Sequence, residues 1–177
     1  RVSRKTGVAL VTSGPGATNA VTGITDAMMD STPLVVISGQ VISGLLGSDA
    51  FQEADVIGIT QPITKWAYQV RRAEEIPWAV SRAFYIAKSG RPGPVVLDIT
   101  KDAQINKLDY TYSKTSFLRS YIPFPEPETE NIKAAAELIN RAQKPLALVG
   151  QGVILGNAEQ ELLAFLEKGG IPFGSTI

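Results

Sequence analysis

Apolar and polar positions along the chain alternate between two periods. Val8–Thr12 is a short run with buried-strand character. Ala17, Val21, Ile24 and Met28 then recur at spacings of four, three and four, which places them on one face of a helix. Leu34–Ser38 is a second buried strand, and Trp66, Tyr68 and Val70 alternate as a strand does. Ile76, Val80, Ala83, Phe84 and Ala87 form another helical face. Glu74 and Glu75 before it and Lys88 at its end suit the helix dipole, and Pro77 and Gly90 fit its first turn and its end. Pro94–Ile99 follows as a strand. Between them, 39–59 is irregular, with a short helix expected around Phe51–Asp55. Buried strands joined by helices predict an α/β fold, a parallel sheet with helices on both faces.

The pattern lapses from Asp102 to Glu128, where Pro123, Pro125 and Pro127 read as an extended connection. It resumes with a helix over 130–141, a strand at Leu146–Val149, a Gly150-Gln151-Gly152 turn and a helix ending at Gly169. Asn157 and Gln160 are placed to cap that last helix. The expected organisation is a first α/β domain over 1–110, a linker over 111–128 and the opening of a second α/β domain over 129–177. The chain opens on Arg1 and closes just inside an apparent strand, so it reads as an internal piece of a longer protein.

Composition narrows the chemistry. At 177 residues, 44% hydrophobic and 19% charged, the chain can bury a real core. Seventeen basic and seventeen acidic residues balance, so nothing favours nucleic acid or an anionic membrane. The uncharged stretch 31–48 is broken by Pro33, Gly39, Gly44 and Gly47 and does not read as a membrane span. With no cysteine and no histidine, thiol chemistry, a serine–histidine triad, a zinc–histidine site and an imidazole base are excluded from this segment. The cytosol is the default compartment.

Five places carry candidate chemistry. Thr12-Ser13-Gly14-Pro15-Gly16-Ala17-Thr18-Asn19 joins a strand to a helix, where free amides suit an anion, but a tight turn looks the same. In Gly47-Ser48-Asp49-Ala50-Phe51-Gln52-Glu53, Phe51 walls an apolar pocket and Gln52 hydrogen-bonds a ligand without adding charge. The alternative is a core phenylalanine beside helix-capping polar groups. Arg91, in Arg91-Pro92-Gly93-Pro94, is either turn punctuation or a fork for phosphate or a planar ring. Lys101 follows a strand, where parallel sheets place ligand contacts, yet a solvated lysine fits too. Gly150-Gln151-Gly152 has the form of a nucleotide-approach turn. Trp66, Trp78 and Tyr85 read as packing residues.

Taken together and in this order, these loops resemble those of the thiamine-diphosphate-dependent carboligases and decarboxylases, and within them the acetolactate (acetohydroxyacid) synthase family. The resemblance runs along the whole chain, on Thr12–Asn19, Asp26–Asp30, Gly39-Gln40-Val41, Gly47–Glu53, Gly90–Asp98 and Lys101-Asp102. It implies a pyrimidine-binding domain followed by a central, FAD-binding-like domain. The first loop then belongs beside the cofactor's aminopyrimidine rather than its phosphates, with Pro15 and Asn19 as its contacts. Gln52 supports catalysis, Phe51 and Lys101 face substrate, and Arg91, Gly150, Gln151 and Gly152 face FAD. It implies thiamine diphosphate, FAD and Mg2+ as cofactors, with the metal site and the activating glutamate outside this segment. The implied reaction joins two 2-oxoacids with decarboxylation, in a homo-dimer or tetramer with a possible regulatory small subunit. The segment alone is expected to be inactive. Ile42, Ser43 and Gly44 depart from the family, where a proline and basic residues are common. Sister thiamine enzymes and a non-catalytic nucleotide- or flavin-binding module are the alternatives.

Overall fold

The structure, a computed structural model, describes residues 2–176. They form two compact units that divide between Pro125 and Glu126.

In the first unit the chain runs β1 (Gly7–Val11), α1 (Pro15–Asn19), α2 (Val21–Met29), β2 (Leu34–Gln40), α3 (Val56–Thr60), β3 (Trp66–Val70), α4 (Ile76–Lys88), β4 (Pro94–Thr100) and α5 (Lys101–Ile105). The strands make one four-stranded sheet in the order β1-β2-β4-β3, and every pairing is parallel. Strand β4 is buried along its full length, which explains its lack of polar alternation.

Successive side chains of a strand point to opposite faces, and the core divides accordingly. Val35, Val95, Leu97 and Ile99 pack with Val70 against Ala79, Ala83, Ile86 and Ala87 of α4 and Ala103 of α5. Val36 and Val96 face the other way, against Ala17 of α1, Ile24 of α2 and Val56 of α3. Helices therefore lie on both faces of the sheet, as the pattern of apolar runs predicts, although β1 leaves Val8 and Leu10 exposed.

Three local expectations change. No helix forms over Phe51–Asp55; the short helix starts just after that stretch, at Val56, because Asp55 is its cap and accepts the Gly58 amide at 2.9 Å. A helix at Lys101–Ile105 continues from β4 where no pattern was legible, its five residues being too few to show a period. The stretch 111–125 packs on the first unit. Leu118 joins the α4 side of the core, Thr115 and Ser81 hydrogen-bond at 3.0 Å, and the Tyr121 ring meets Tyr85 edge-on. Lys65 Nζ donates to the carbonyls of Ile86 and Ser89 at the end of α4 and to the Tyr121 hydroxyl. Trp66, Tyr68 and Trp78 pack ring against ring, and the Arg82 guanidinium lies over Trp66 and Trp78, so these aromatics are packing residues.

The second unit carries α6 (Thr129–Arg141), β5 (Ala147–Val149), α7 (Gly152–Leu155), α8 (Glu159–Gly169) and β6 (Phe173–Ser175), with β5 and β6 paired in parallel. Helix α8 has Ala158 at its N-cap, a residue whose side chain has no acceptor. Gly170 ends it in the left-handed conformation, the usual use of glycine there.

Candidate functional site at the carboxyl edge of the sheet

All strands of a parallel sheet end on one edge, and ligands of open α/β sheets bind there. Here β1, β2 and β4 deliver three segments to that edge: 12–16, 41–54 and the start of α5. The segments touch. Gly14 has φ 55°, and a Cβ on it would lie 2.6 Å from the Gln52 carbonyl oxygen. The missing side chain of the first loop thus admits the main chain of the second. The Lys101 amide donates to the Val41 carbonyl at 3.3 Å. The Ser43 hydroxyl and amide both donate to the Asp102 carboxylate.

This arrangement brings Pro15, Phe51, Gln52 and Lys101 to one edge. Pro15 opens α1, and Asn19 lies one turn further along it, both exposed. Phe51 is 88% exposed, so it is not a core residue. Gln52 is exposed and left-handed, with φ 60°, a conformation uncommon for residues other than glycine. Lys101 is the first residue of α5, the end of a helix where a cation is unfavourable. Exposed apolar surface, a strained glutamine and a misplaced cation on one edge are marks of a binding surface rather than of folding economy.

Beneath the edge lies a buried polar cluster. Ser38, Asp98 and Gln69 are in register across β2, β4 and β3. Asp98 is fully buried. Its carboxylate accepts from Ser38 Oγ at 2.7 Å, Gln40 Nε2 at 3.0 Å and Gln69 Nε2 at 3.1 Å. Burial pushes the Asp98 carboxyl above the usual aspartate value, against the pull of these three donors. Glu53, in the loop itself, accepts the amides of Gly47, Ser48 and Ala50. The Gly47 amide foremost holds its carboxyl below the ordinary glutamate value. Asp102 is held well below the usual aspartate range, chiefly by the Ser43 hydroxyl.

Of the flavin candidates, only Arg91 belongs to the first unit. Arg91 precedes β4, at the amino edge, roughly 20 Å of strand from Lys101. Its guanidinium donates to Ser31 Oγ at 2.8 Å and to the carbonyls of Met28 and Met29, closing the end of α2. Gly150-Gln151-Gly152 lies in the second unit between β5 and α7. A Cβ on Gly152 would meet open space, so that turn is accessible to a ligand.

Gln40, Asp98 and Asp102 belong to the segments that carry the family resemblance, but the sequence assigns them no role in this site. The signal was an aspartate inside the apolar run Pro94-Val95-Val96-Leu97-Asp98-Ile99, since a charge in a buried strand requires partners.

Comparison with known protein families agrees with this geometry. Residues 1–59 match the thiamine pyrophosphate enzyme N-terminal TPP binding domain. Residues 132–177 match the thiamine pyrophosphate enzyme central domain. The chain thus carries parts of the N-terminal and central domains of a thiamine pyrophosphate enzyme. Within that class it is similar along its whole length to acetolactate synthase large subunits. It is 50% identical over 177 residues to the acetolactate synthase large subunit of Corynebacterium glutamicum, covering 100% of this chain and 28% of the relative. It is 48% identical over 179 residues to that of Buchnera aphidicola subsp. Schizaphis graminum, covering 100% of this chain and 31% of the relative. It is 47% identical over 174 residues to the acetolactate synthase isozyme 3 large subunit of Escherichia coli, covering 97% of this chain and 30% of the relative. The chain spans about three-tenths of the length of these relatives. No helix among the described residues is long and apolar enough to cross a membrane.

Proposed function

We propose that the protein containing this chain joins two 2-oxoacids with loss of carbon dioxide. Pyruvate with pyruvate gives 2-acetolactate, and pyruvate with 2-oxobutyrate gives 2-aceto-2-hydroxybutyrate, both steps of branched-chain amino-acid biosynthesis. The observation that carries this reading is the similarity to acetolactate synthase large subunits along the whole chain, including every segment at the carboxyl edge.

Thiamine diphosphate, when bound, supplies the electron sink that decarboxylation of a 2-oxoacid needs. The chain's own residues do the rest of the work assigned to this edge. Pro15 and Asn19 line the pyrimidine side. Phe51 offers an apolar wall to the substrate's alkyl group, and Lys101 offers its charge to a carboxylate. Gln52 fixes orientation by hydrogen bonding without perturbing the charge, which is a positioning task. On the same reading residues 1–110 form the pyrimidine-binding domain, 111–128 the connection and 129–177 the start of the central domain. Arg91, at the opposite edge of the sheet from Lys101, and the Gly150–Gly152 turn of the second unit are each assigned to FAD, which has a structural role. Mg2+ is held by residues outside this segment. The protein works as a homo-dimer or tetramer in the cytoplasm, with a regulatory small subunit, and residues 1–177 alone are inactive.

The test is to incubate the full-length protein with pyruvate, thiamine diphosphate and magnesium and to assay 2-acetolactate. Acetolactate formation is expected. Acetaldehyde or acetyl phosphate as the only product would assign the protein to a sister activity and overturn the proposal.

A further inference from the structure

The loop 41–54 carries Phe51 and Gln52, and it is long, exposed and irregular. Such a loop is ordinarily mobile. Its two ends, however, are tied to one side chain. Gln40, the last residue of β2, is buried. Its Oε1 accepts the amide of Val41, the first residue of the loop, at 2.9 Å. Its Nε2 donates to the carbonyl of Ala54, the last residue, at 2.9 Å. The same Nε2 donates to Asp98 Oδ2 at 3.0 Å.

The polarity of this chain of bonds runs one way. Asp98 accepts from every donor around it, so it fixes which end of the Gln40 amide is the NH2. With the amide so oriented, the acceptor faces the Val41 N–H and the donor faces the Ala54 C=O. A flipped amide would set two donors against each other at Val41 and two acceptors against each other at Ala54. Buried polar groups pay heavily for such mismatches.

We propose that Gln40, oriented by Asp98, is a positioning residue: its side-chain amide clamps both ends of the 41–54 loop and so sets where Phe51 and Gln52 stand. Gln40 is buried beneath the loop. It acts through the loop, whose interior is braced separately by Glu53 on the amides of Gly47, Ser48 and Ala50. The outer tie from Ser43 to Asp102 fixes one flank of the loop against α5. Only the Gln40 amide joins the two ends among the hydrogen bonds described for this loop. The consequence for activity rests on the proposed function, whereas the clamp itself does not.

The test uses the full-length protein and two readouts. In Gln40→Met the side chain keeps its length and loses its bonds to Val41, Ala54 and Asp98. Hydrogen exchange should become at least about tenfold faster across 41–54, with β4 remaining protected. Pyruvate turnover should fall at least about tenfold in kcat, with a smaller change in KM. A double-mutant cycle with Gln52→Ala should be strongly non-additive, the double variant being little worse than either single one. Should Gln40→Met not fold, Gln40→Asn, which keeps the amide one methylene short, replaces it with the same expected directions. Unchanged exchange over 41–54 overturns the clamp. Faster exchange with wild-type kcat, or with effects that multiply with those of Gln52→Ala, overturns the positioning role. A wild-type protein that makes no acetolactate fails the proposed function instead, and the exchange experiment still decides the clamp.

Discussion

Gln52 shows how one residue is held against its own preference. Its left-handed backbone, with φ 60°, is one that glycine adopts without strain. A sequence optimised for the fold alone would place glycine there. Gln52→Gly is therefore expected to leave the melting temperature unchanged or raise it. On the proposed function it should lower acetolactate formation about tenfold, roughly 1.4 kcal/mol of transition-state stabilisation. Wild-type kinetics in the glycine variant would show that the amide has no role. Arg91 makes a different case, because one side chain is assigned two tasks. Its bonds to Met28, Met29 and Ser31 place a cation at the end of α2, where the dipole favours it. Arg91→Ala is expected to cost about 1 kcal/mol of stability. If FAD is held as proposed, the flavin absorbance per protomer should also drop. Arg91→Lys should recover much of the stability and little of the flavin, since lysine has the charge without the planar fork. Full flavin occupancy in both variants would restrict Arg91 to the helix end.

At the scale of elements, what was legible follows from period and length. Strands β1 to β4 and helices α4 and α6 are long or apolar enough to declare themselves. Helices α3, α5 and α7 are too short for a period, and only their surroundings define them. The same division applies to the site. Pro15, Phe51, Gln52 and Lys101 stand out because they sit in loops after strands, where a side chain needs a reason to be there. Asp98 lies inside an apolar run and Gln40 just past the end of one, and the two meet across 58 residues of sequence, which no local pattern reveals. The acidic anchors of the 41–54 loop give this element a pH response. Glu53 has its carboxyl lowered in the folded protein from 4.5, so its contribution is present above that value and is lost as pH falls through the folded value. Asp102 acts in the same sense. Asp98 has the opposite sign, because its raised carboxyl favours the folded state in acid and disfavours it as pH rises. Comparing wild type with Glu53→Gln should therefore show a stability difference at about pH 7 that shrinks below pH 4.5. A difference constant down to about pH 3 would mean that the Glu53 charge does not hold the loop.

At the scale of the whole molecule, each unit leaves apolar surface in view. On β1, Val8 is 57% and Leu10 78% exposed, on the sheet face where α4 covers β2, β3 and β4. In the second unit Ile132 and Leu138 of α6 and Leu146 and Leu148 around β5 are exposed as well. Exposed apolar side chains of this kind favour association. Residues 1–177 expressed alone are expected to show a molar mass by light scattering that rises with concentration. A mass fixed at one chain, 18.9 kDa, over a hundredfold dilution would contradict this.

The strand order carries a consequence for the newborn chain. Strand β3 is an edge strand whose ladder partner is β4, yet β3 is made first. A ribosome adding ~5–20 residues per second reaches Thr100 roughly 1.5–6 s after Val70. Throughout that interval Trp66, Tyr68 and Val70 have no strand to lie against, and β2 has only β1. Of the four strands described, the last to be synthesised is the one that joins β3 to the β1–β2 pair. Translation speed between residues 70 and 100, rather than any feature of the finished fold, therefore sets how long the nascent sheet stays open to a chaperone or to another chain.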